Sequence, residues 1–375
     1  MVLSLNSLAQ PVPQPAPSVE PPEATARCRP PAGLTLKRSN PVAANAKWSF
    51  VTRNLVREDV AEVLPVADRA PQPGDLLVAQ VTKVAQHTKI QLSGGRRSQL
   101  FVGDELVLAY ANRYAPDQFE AEVPADLSRC HLVAAGGIAS QALSKNARLK
   151  WPTELQPDGY LLDREGTVIN LSRYALEAPT AASPKPVIGV AGTSMNAGKT
   201  TVMASLVRGL SAAGLGVAAL KVTGTGAGND LWAYQDAGAA LALDFTDAGH
   251  ASTYRAPAEA IEACLARLVG IASGSADVDV VLVEVADGLL HPESLALIES
   301  PTFRSLDARV VFAAGEAMGA MAGAEMLRAR GVNVAGISGV LSASELASQE
   351  AGRATGLTVF TRDELAHASI RRWLF

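Results

Sequence analysis

The sequence has little of what marks secreted, zinc-binding, nucleic-acid-binding or membrane-spanning proteins. Its three cysteines, Cys28, Cys130 and Cys264, form no CxxC or Cys/His pattern, which excludes a disulfide scaffold and a structural zinc site and is typical of a reducing cytosol. Basic residues are not in excess, because the formal net charge is -4, so we expect no nucleic-acid partner. No apolar run reaches the roughly 18 residues of a membrane helix. Residues 1–10 also lack the basic start of a signal peptide, so we expect a cytoplasmic protein with no membrane partner.

Apolar residues and prolines are plentiful, and they lie in different parts of the chain. Hydrophobic residues make up 48% of the 375 residues, which is enough for two domains with buried cores. Eight of the 22 prolines fall between positions 11 and 31, a composition that cannot build a core. We therefore predict a disordered proline-rich tail at 1–50. A second run, Ala-Pro-Thr-Ala-Ala-Ser-Pro-Lys-Pro at 178–186, predicts a linker between two domains.

The segment between the tail and the linker has the pattern of short β-strands. Between positions 74 and 123, apolar runs alternate with turn signals such as Ser-Gly-Gly at 93–95, which is typical of a small barrel or sandwich. An apolar run followed by Ala-Ala-Gly-Gly and small residues at 131–143 indicates a strand and then a helix. We predict a smaller, mainly-β N-terminal domain at 51–177.

After the linker, apolar runs alternate with helical patterns, which predicts an α/β domain with a doubly wound parallel sheet at 187–375. Each candidate strand is short and almost continuously apolar, as strands covered on both faces require. The predicted strands are 187–191, 216–221, 278–285, 308–314, 332–338 and 357–360. The predicted helices are 200–213, 257–273, 316–330 and 343–355. Ligands of such sheets bind at the carboxyl ends of the strands, so the residues there are the first functional candidates.

The most informative segment is Val-Ile-Gly-Val-Ala-Gly-Thr-Ser-Met-Asn-Ala-Gly-Lys-Thr-Thr at 187–201. A strand, a glycine loop and a helix start are the layout of a phosphate-binding loop, in which backbone N–H groups and the helix N-terminus hold a polyphosphate. The usual G-x-x-x-x-G-K-[ST] spacing requires a glycine at position 193, but the glycine here is Gly192. We expect Lys199 to reach the terminal phosphates and the Thr200 hydroxyl to bind Mg²⁺. The predicted nucleotide-binding residues of the loop are Gly192, Thr193, Asn196, Ala197, Gly198, Lys199, Thr200 and Thr201.

A lysine and a glycine-rich loop follow the next predicted strand. Lys221 ends the strand 216–221 and is predicted to neutralise charge during group transfer. Gly224 and Gly226 permit close backbone approach to a ligand. We predict that both glycines contact the nucleotide and that the substrate lies over the loop 223–230.

A carboxylate lies in the apolar end of the third predicted strand. Glu284 follows Val-Asp-Val-Val-Leu-Val, and a carboxylate there is costly unless it is paired or binds a metal. In P-loop proteins a carboxylate at this place holds Mg²⁺ directly or through water. We predict Thr200 and Glu284 as metal ligands, with Asp230 as the first choice to complete the shell. Asp287 is either a further magnesium or water ligand or a turn residue.

Together, these residues resemble one branch of P-loop proteins. In dethiobiotin synthetase and the cobyrinate amidotransferase relatives, the loop has the wider Gly-Thr-x-x-x-x-Gly-Lys-Thr form seen at 192–200, and a strand-end lysine like Lys221 and a Val-Glu strand end like that at Glu284 follow. The run Val-Glu-Val-Ala-Asp-Gly-Leu-Leu-His-Pro at 283–292 and the segment 341–359 are similar to the P-loop family that includes D-glutamate N-acetyltransferase. The resemblance covers the chain from position 187 onward.

The resemblance implies three alternative functions. The leading hypothesis is an Mg²⁺-dependent enzyme that uses ATP to activate a small carboxylate or amine substrate. The second is an N-acyltransferase on an amino acid, in which the loop grips the phosphates of acetyl-CoA. The third is a GTP-binding adaptor in cofactor biosynthesis, against which the lack of an Asn-Lys-x-Asp guanine signature counts. Relatives in this branch often dimerise across the nucleotide site, so the resemblance also implies a possible homodimer.

Overall fold

The first region of the structure is built from short β-strands. The computed structural model describes residues 42–65, 69–180 and 183–375. In chain order the strands of this region are β1 (Lys47–Trp48), β2 (Glu62–Leu64), β3 (Leu76–Lys83), β4 (Lys89–Gln91), β5 (Arg97–Gln99), β6 (Glu105–Tyr110), β7 (Arg113–Tyr114), β8 (Phe119–Glu122), β9 (Cys130–Ala134), β10 (Ile138–Lys145) and β11 (Thr153–Leu162). The prediction of a mainly-β N-terminal part is therefore confirmed.

Five of these strands close into a ring. They pair in the order β6, β3, β11, β9 and β10, and β10 then pairs with β6 in parallel. Successive side chains on a strand point to opposite faces. Leu77 and Ala79 of β3 therefore join one apolar cluster, while Leu76 and Val78 join another. Of the two architectures that the sequence left open for this region, the structure has the barrel.

The folded β region begins before the predicted end of the proline-rich tail. Residues 42–50 belong to the tail by sequence, but Trp48 of β1 pairs with Val107 of β6 and Phe50 is fully buried. The burial of Phe50 and the partial burial of Trp48 favour packing at the end of a segment that we expected to be disordered. The rest of the predicted tail, 1–41, lies outside the described residues.

The helix expected within 131–143 is not formed. The segment is instead a hairpin of β9 and β10, which turns at Gly137 with a φ of 110°. β10 pairs with β9 on one side and with β8 and β6 on the other. These ladders override the helical preference of its small residues, because strand formation depends on neighbours that lie far away in the sequence.

The second region is a six-stranded, all-parallel sheet with helices on both faces. The strands are β12 (Val187–Gly192), β13 (Val217–Lys221), β14 (Leu241–Asp244), β15 (Val280–Glu284), β16 (Arg309–Ala313) and β17 (Asn333–Ser338). Their order in the sheet is β14, β13, β15, β12, β16 and β17. The doubly wound parallel sheet that the sequence predicts is therefore confirmed. Because β12 lies between β15 and β16, the loop that follows it opens at the point where the strand order reverses.

Helices cover both faces of this sheet and bury two apolar clusters. They are α1 (Lys199–Ala212), α2 (Asn229–Asp236), α3 (Ala258–Gly274), α4 (Pro292–Glu299), α5 (Pro301–Ser305), α6 (Ala317–Arg328), α7 (Glu345–Thr355), α8 (Arg362–Ala366) and α9 (Arg371–Leu374). In the described parts of the chain, no helix combines the length and the apolar character that crossing a membrane requires.

Two strands of this sheet domain differ from the prediction. The predicted strand 357–360 makes only an isolated parallel pairing, between Val359 and Ile337. A strand absent from the prediction, β14, forms the edge beside β13. Its run Leu-Ala-Leu-Asp is half exposed at its start, so it lacks the continuous apolar character that identified the central strands.

The described residues of the β region and of the sheet domain pack as one body. Phe50 belongs to the apolar cluster of the sheet domain and meets the ring of Trp232 edge-on, with 6.2 Å between the ring centroids. In the other direction, Ala251 of the sheet domain belongs to a cluster of the β region. Side chains of one region therefore complete the core of the other.

Candidate functional site

The loop between β12 and α1 has the backbone conformation of an anion-binding loop. Asn196 has a φ of 66° and Gly198 a φ of 98°, and the helix begins at Lys199. Left-handed residues in such a loop turn successive N–H groups towards one point, and the helix N-terminus adds positive potential there. Ala197 accepts a hydrogen bond from the N–H of Val340 at 3.0 Å, which fixes the loop against the segment after β17.

The structure explains why the first glycine of the loop is Gly192, one residue earlier than usual. A Cβ on Gly192 would lie 2.9 Å from the carbonyl oxygen of Ala313 and 3.0 Å from Cγ of Lys199. The aliphatic part of Lys199 therefore crosses the end of β12 where a side chain on residue 192 would stand. Thr193 donates its N–H to the same carbonyl of Ala313 at 3.0 Å, so the loop starts by leaving β12 along β16.

A second glycine, Gly288, is also required by the loop. A Cβ there would overlap the backbone of Thr193 and Ser194. Gly288 was not predicted to have a role, and its only signal in the sequence is the Ala-Asp-Gly run after β15. The neighbouring Asp287 has a φ of 60°, a conformation that costs a non-glycine residue about 1–2 kcal/mol. The phosphate loop and the turn after β15 therefore pack as one unit.

Lys199 is buried in this unit. Its Nζ donates to the carbonyl oxygens of Ser194 at 2.7 Å and Asp287 at 2.6 Å. Burial lowers the pKa of Lys199, and the nearby carboxylates of Glu284 and Asp287 oppose that shift. The ammonium group thus lies over the loop that we predict to hold phosphate groups.

The strand ends bring Lys221 together with the two carboxylates predicted for the metal. β13 pairs with β15 so that Lys221 is opposite Glu284. The ammonium of Lys221 forms an ion pair with Asp230 and lies 3.8 Å from Oε1 of Glu284. Thr200 donates its hydroxyl to Asp230 at 3.1 Å. The predicted residues Thr200, Lys221, Asp230 and Glu284 are therefore adjacent.

The pKa values of these neighbouring side chains depend on one another. Burial alone lowers the pKa of Lys221, but the carboxylates of Asp230 and Glu284 outweigh it and raise that pKa. Burial raises the pKa of Glu284, and Lys221 opposes the rise. For Asp230, burial also acts to raise the pKa, but the contact with Lys221 prevails and lowers it. Lys221 thus balances two carboxylates that would otherwise be costly to bury.

Tyr234 is a further member of the group that sequence reasoning missed. Its hydroxyl donates to Oε2 of Glu284, and the side chain is fully buried. Tyr234 lies one helical turn after Asp230 on α2, and this i, i+4 spacing was the available signal. It was not used because the segment 223–230 was interpreted as a loop, whereas α2 begins at Asn229.

The donor set fits a divalent cation bound together with phosphate. A hydroxyl and two carboxylates are oxygen ligands of the kind that Mg²⁺ prefers, and Mg²⁺ usually completes its shell with phosphate oxygens and water. The ammonium of Lys221 already places one positive charge between Asp230 and Glu284. Within 42–65, 69–180 and 183–375, no group of three or more His, Cys, Asp or Glu side chains is placed to hold a metal ion.

The two glycines predicted to approach a ligand lie against protein. A Cβ on Gly226 would overlap Val51 of the β region and lie 2.9 Å from the carbonyl oxygen of Ala251. Gly224 has a φ of 131°, and a Cβ on this residue would lie 3.2 Å from Cε of Lys221. Close packing is sufficient to explain Gly226, while Gly224 remains beside the charged group. Their contact with a nucleotide stays a prediction.

Arg53 links the β region to the edge of the sheet through ion pairs. Its guanidinium donates to Asp244 at 2.9 Å and to Asp247 at 2.7 Å, and it also bonds Thr246. Asn54 adds a hydrogen bond to Asp247 at 2.9 Å. Burial raises the pKa of Asp247, and Arg53 opposes that shift. We call Arg53, Asp244 and Asp247 the Arg53 clamp.

A cavity opens beside the phosphate loop on the side of β17. It has a volume of about 320 Å³ and is largely apolar. The lining residues that matter most here are Gly198, Thr201, Ser338, Gly339, Val340 and Arg362. Since Gly198 and Thr201 belong to the loop and to α1, a molecule with phosphate groups on the loop can place its remaining part in this cavity.

The sheet domain matches a known protein family. A family model described as an AAA domain matches residues 187–361, slightly less than half of the chain. Among solved structures, the signal recognition particle receptor FtsY from Elizabethkingia anophelis is 21% identical, with a TM-score of 0.30 over 45% of this chain and 54% of that chain. The signal recognition particle 54 kDa protein from Aeropyrum pernix K1, in complex with GDP, is 18% identical, with a TM-score of 0.33 over 54% of this chain and 50% of that chain. This chain thus spans about half the length of both structures, and no curated protein matches it.

The fold and the loop define the class: residues 187–361 are a P-loop NTPase domain, preceded by a β-rich region. Such a domain binds a nucleoside triphosphate with Mg²⁺. The matching family includes dethiobiotin synthetase-like proteins, one of the groups that the loop 192–200 resembles in sequence.

Proposed function

We propose that this protein is an Mg²⁺-dependent enzyme that uses ATP to activate a small carboxylate or amine substrate. The observation that carries the proposal is the adjacency of Lys199, Thr200, Lys221, Asp230 and Glu284 at one edge of the sheet. A domain that only switches between two nucleotide states needs the loop and the metal ligands. A second lysine beside them, Lys221, which is paired with carboxylates and largely shielded from solvent, is the feature expected where negative charge develops during group transfer.

Each of these residues has a separate role in binding the phosphates, the metal or the transferred group. The N–H groups of the loop and the Lys199 ammonium bind the β- and γ-phosphates. The Thr200 hydroxyl and the Glu284 carboxylate, with Asp230 beside them, hold the metal. Bound there, Mg²⁺ supplies charge neutralisation on the phosphate oxygens. When the substrate is bound, the Lys221 ammonium leaves its carboxylate partners and contacts the group that is transferred. Its ion pairs hold the ammonium within the site beforehand, so that it is already positioned for this contact.

The cavity beside β17 is the proposed nucleoside site. Its volume of about 320 Å³ falls at the small end of ligand pockets, which range from roughly 300 to 1,000 Å³. Its apolar lining suits a base, and the Arg362 guanidinium at its edge suits a ribose or phosphate oxygen. The assignment of adenine over guanine rests on the resemblance and remains part of the proposal.

The first test is the loss of the loop lysine. Lys199→Ala removes an ammonium that we expect to pair with phosphate in a buried site, where loss of one partner costs about 2–5 kcal/mol. Calorimetry should therefore show ATP affinity reduced by about 100-fold or more. Arg208→Ala, on the exposed side of α1, is the matched control and should bind ATP normally. Undiminished ATP affinity in Lys199→Ala contradicts the proposal.

The second test separates the alternatives. A thermal-shift screen compares ATP, GTP and acetyl-CoA, each with Mg²⁺. We expect ATP to give the largest stabilisation. Stabilisation by acetyl-CoA alone favours the N-acyltransferase. A preference for GTP, with nucleotide turnover only in the presence of a protein partner, favours the adaptor. The homodimer is tested in the same samples by light scattering with and without ATP.

A further inference from the structure

The hairpin of β4 and β5 lies against the start of α2. Oε1 of Gln91, a side chain that is only 2% exposed, accepts the backbone N–H of Gly228 at 2.8 Å. Gly228 directly precedes α2 and is 137 positions away from Gln91. The first N–H groups of a helix have no partner within the helix, and here the β region supplies one. Nη2 of Arg97, on β5, adds a hydrogen bond to Oδ1 of Asn229 at 2.7 Å.

The ring of Trp232, on α2, contacts both the hairpin and Phe50. A Cβ on Gly95, in the turn of the hairpin, would lie 2.8 Å from Cζ2 of Trp232. Phe50 meets the same ring edge-on, and a Cβ on Gly228 would lie 2.7 Å from Nε1 of Trp232. Close packing therefore fixes the start of α2 against the β region, because these contacts leave no space for one more carbon atom.

Two other side chains of α2 belong to the charged group at the strand ends. Asp230 forms an ion pair with Lys221 and accepts the hydroxyl of Thr200. Tyr234 donates its hydroxyl to Glu284. Both lie on a helix of eight residues, and a helix of that length is not stable by itself in water. The positions of Asp230 and Tyr234 therefore depend on what packs against α2.

The neighbours of α2 come from both regions of the molecule. Leu231 and Tyr234 are buried in an apolar cluster of the sheet domain. The start of the helix is held from the other region, by Gln91 and by the packing of Trp232. Asp230 follows Gly228 by only two positions, which is less than one helical turn. A change in the contact with Gln91 is therefore transmitted directly to the carboxylate of Asp230.

We propose that Gln91 and the β4–β5 hairpin position the magnesium site: they hold the first turn of α2 so that Asp230 lies beside Thr200 and Lys221. Contacts outside the ligands of a metal site commonly orient those ligands in this way. This inference rests on the proposed function, because it takes Asp230 as part of the metal site. It gives the β region a role in metal binding, although the residues that we expect to touch the metal all belong to the sheet domain.

The first test compares two turn glycines of the β region. Gly95 and Gly103 have φ values of 87° and 91°, so an alanine strains the backbone to a similar degree at both. A Cβ would press against Trp232 at Gly95 but would meet nothing within 4 Å at Gly103. We expect Gly95→Ala to reduce the gain in ATP affinity on adding Mg²⁺ by about tenfold. The control Gly103→Ala should keep that gain within about twofold, as measured by calorimetry on the full chain with and without Mg²⁺.

The second test concerns the hydrogen bond itself. Gln91→Leu removes the acceptor for Gly228, whereas Gln91→Glu keeps an acceptor at a helix start, where negative charge is favourable. We expect Gln91→Leu to lower the gain from Mg²⁺ by about fivefold or more, as the loss of one hydrogen bond does, and Gln91→Glu to restore most of it. The affinity for ATP without Mg²⁺ should stay within about twofold of wild type. In the ligand-free protein, Gln91→Leu should speed amide hydrogen exchange in α2 and leave it unchanged in α3.

The two comparisons also define the results that contradict the proposal. A wild-type gain from Mg²⁺ in Gly95→Ala overturns it, as does an equal loss in Gly103→Ala. An unchanged gain in Gln91→Leu overturns the role of Gln91, and where that variant does not fold, the two glycine variants decide. A wild-type protein that does not bind ATP, or that gains no affinity from Mg²⁺, would instead contradict the proposed function itself, so the two failures are distinguishable.

Discussion

The sheet domain and the β region contribute to the site in different ways. The sheet domain supplies a backbone loop and a small group of buried charges that are paired with one another, as in Lys221 with Asp230 and Glu284. The β region supplies side chains that reach across to it, as Arg53 does. Phe50 of the β region also belongs to an apolar cluster of the sheet domain. The charges that we propose to bind phosphate thus lie in the sheet domain, whereas the β region contributes the contacts that hold it against that domain.

The largest effect is expected where the two regions are joined. Arg53→Met leaves the buried carboxylates of Asp244 and Asp247 without their cation, and breaking such a pair costs about 3–5 kcal/mol. Chemical denaturation should show a loss of that size. In the control Arg148→Met, the arginine is exposed, and its free energy of unfolding should change by less than about 0.5 kcal/mol. A small effect of Arg53→Met would mean that the two regions are held by their apolar contacts alone.

The second expected effect is a loss of stability in acid that arises in the β region. Burial, and then the charge of Arg113, lowers the pKa of His87 in the β region from 6.5 to about 4. Between these values the unfolded chain binds a proton that the folded chain does not, so stability is full above about pH 6.5 and falls as the pH drops towards 4. The loss is at most about 3 kcal/mol. His87→Gln should flatten this part of the pH profile, as measured by denaturation at several pH values.

The control for the pH experiment is His367→Gln, because His367 is exposed in the sheet domain. That variant should keep the acid sensitivity of the wild-type protein. An unchanged profile in His87→Gln would show that the acid response comes from another group, such as His250 of the sheet domain, whose pKa burial also lowers.

The third effect concerns the paired charges of the sheet domain. Glu284→Gln keeps an acceptor for Tyr234 and removes one negative charge beside Lys221. We expect ATP affinity without Mg²⁺ to change little. The gain in ATP affinity on adding Mg²⁺ should fall by about tenfold, which corresponds to about 1.4 kcal/mol. Titration of ATP at several Mg²⁺ concentrations gives both quantities. Glu165→Gln, in an exposed turn of the β region, should behave as the wild type, and an equal Mg²⁺ response in Glu284→Gln contradicts the assignment.

The parts of the site that the sequence predicts are those encoded by local pattern. The loop from Gly192 to Thr200 is continuous in the chain, and Lys221 and Glu284 each end a strongly apolar strand. Their adjacency follows because parallel strands end at a common edge. The fold of the sheet domain is predictable for the same reason, since its central strands are continuous apolar runs.

The parts that the sequence does not predict depend on distant pairing. Tyr234 acquires its role from Glu284, 50 positions away, and Arg53 from Asp244 and Asp247. The contacts of Tyr114 with Tyr254 and His291 join a two-residue strand of the β region to residues of the sheet domain. No periodicity marks such contacts, because they are fixed by how the two regions pack. The hairpin of β9 and β10 was mistaken for a strand and helix for the same physical reason: its conformation is set by neighbouring strands.

The Arg53 clamp also has a consequence for the order in which the chain folds. Its contacts join residues that are 191 and 194 positions apart, and contacts of such long range form late, since the intervening chain must first be closed into a loop. During synthesis, Arg53 and Phe50 leave the ribosome long before their partners on α2 and after β14 exist. We therefore expect the β region to acquire its final anchorage only after β14 has joined the sheet, so that nascent chains ending before about position 250 hold their barrel without the clamp.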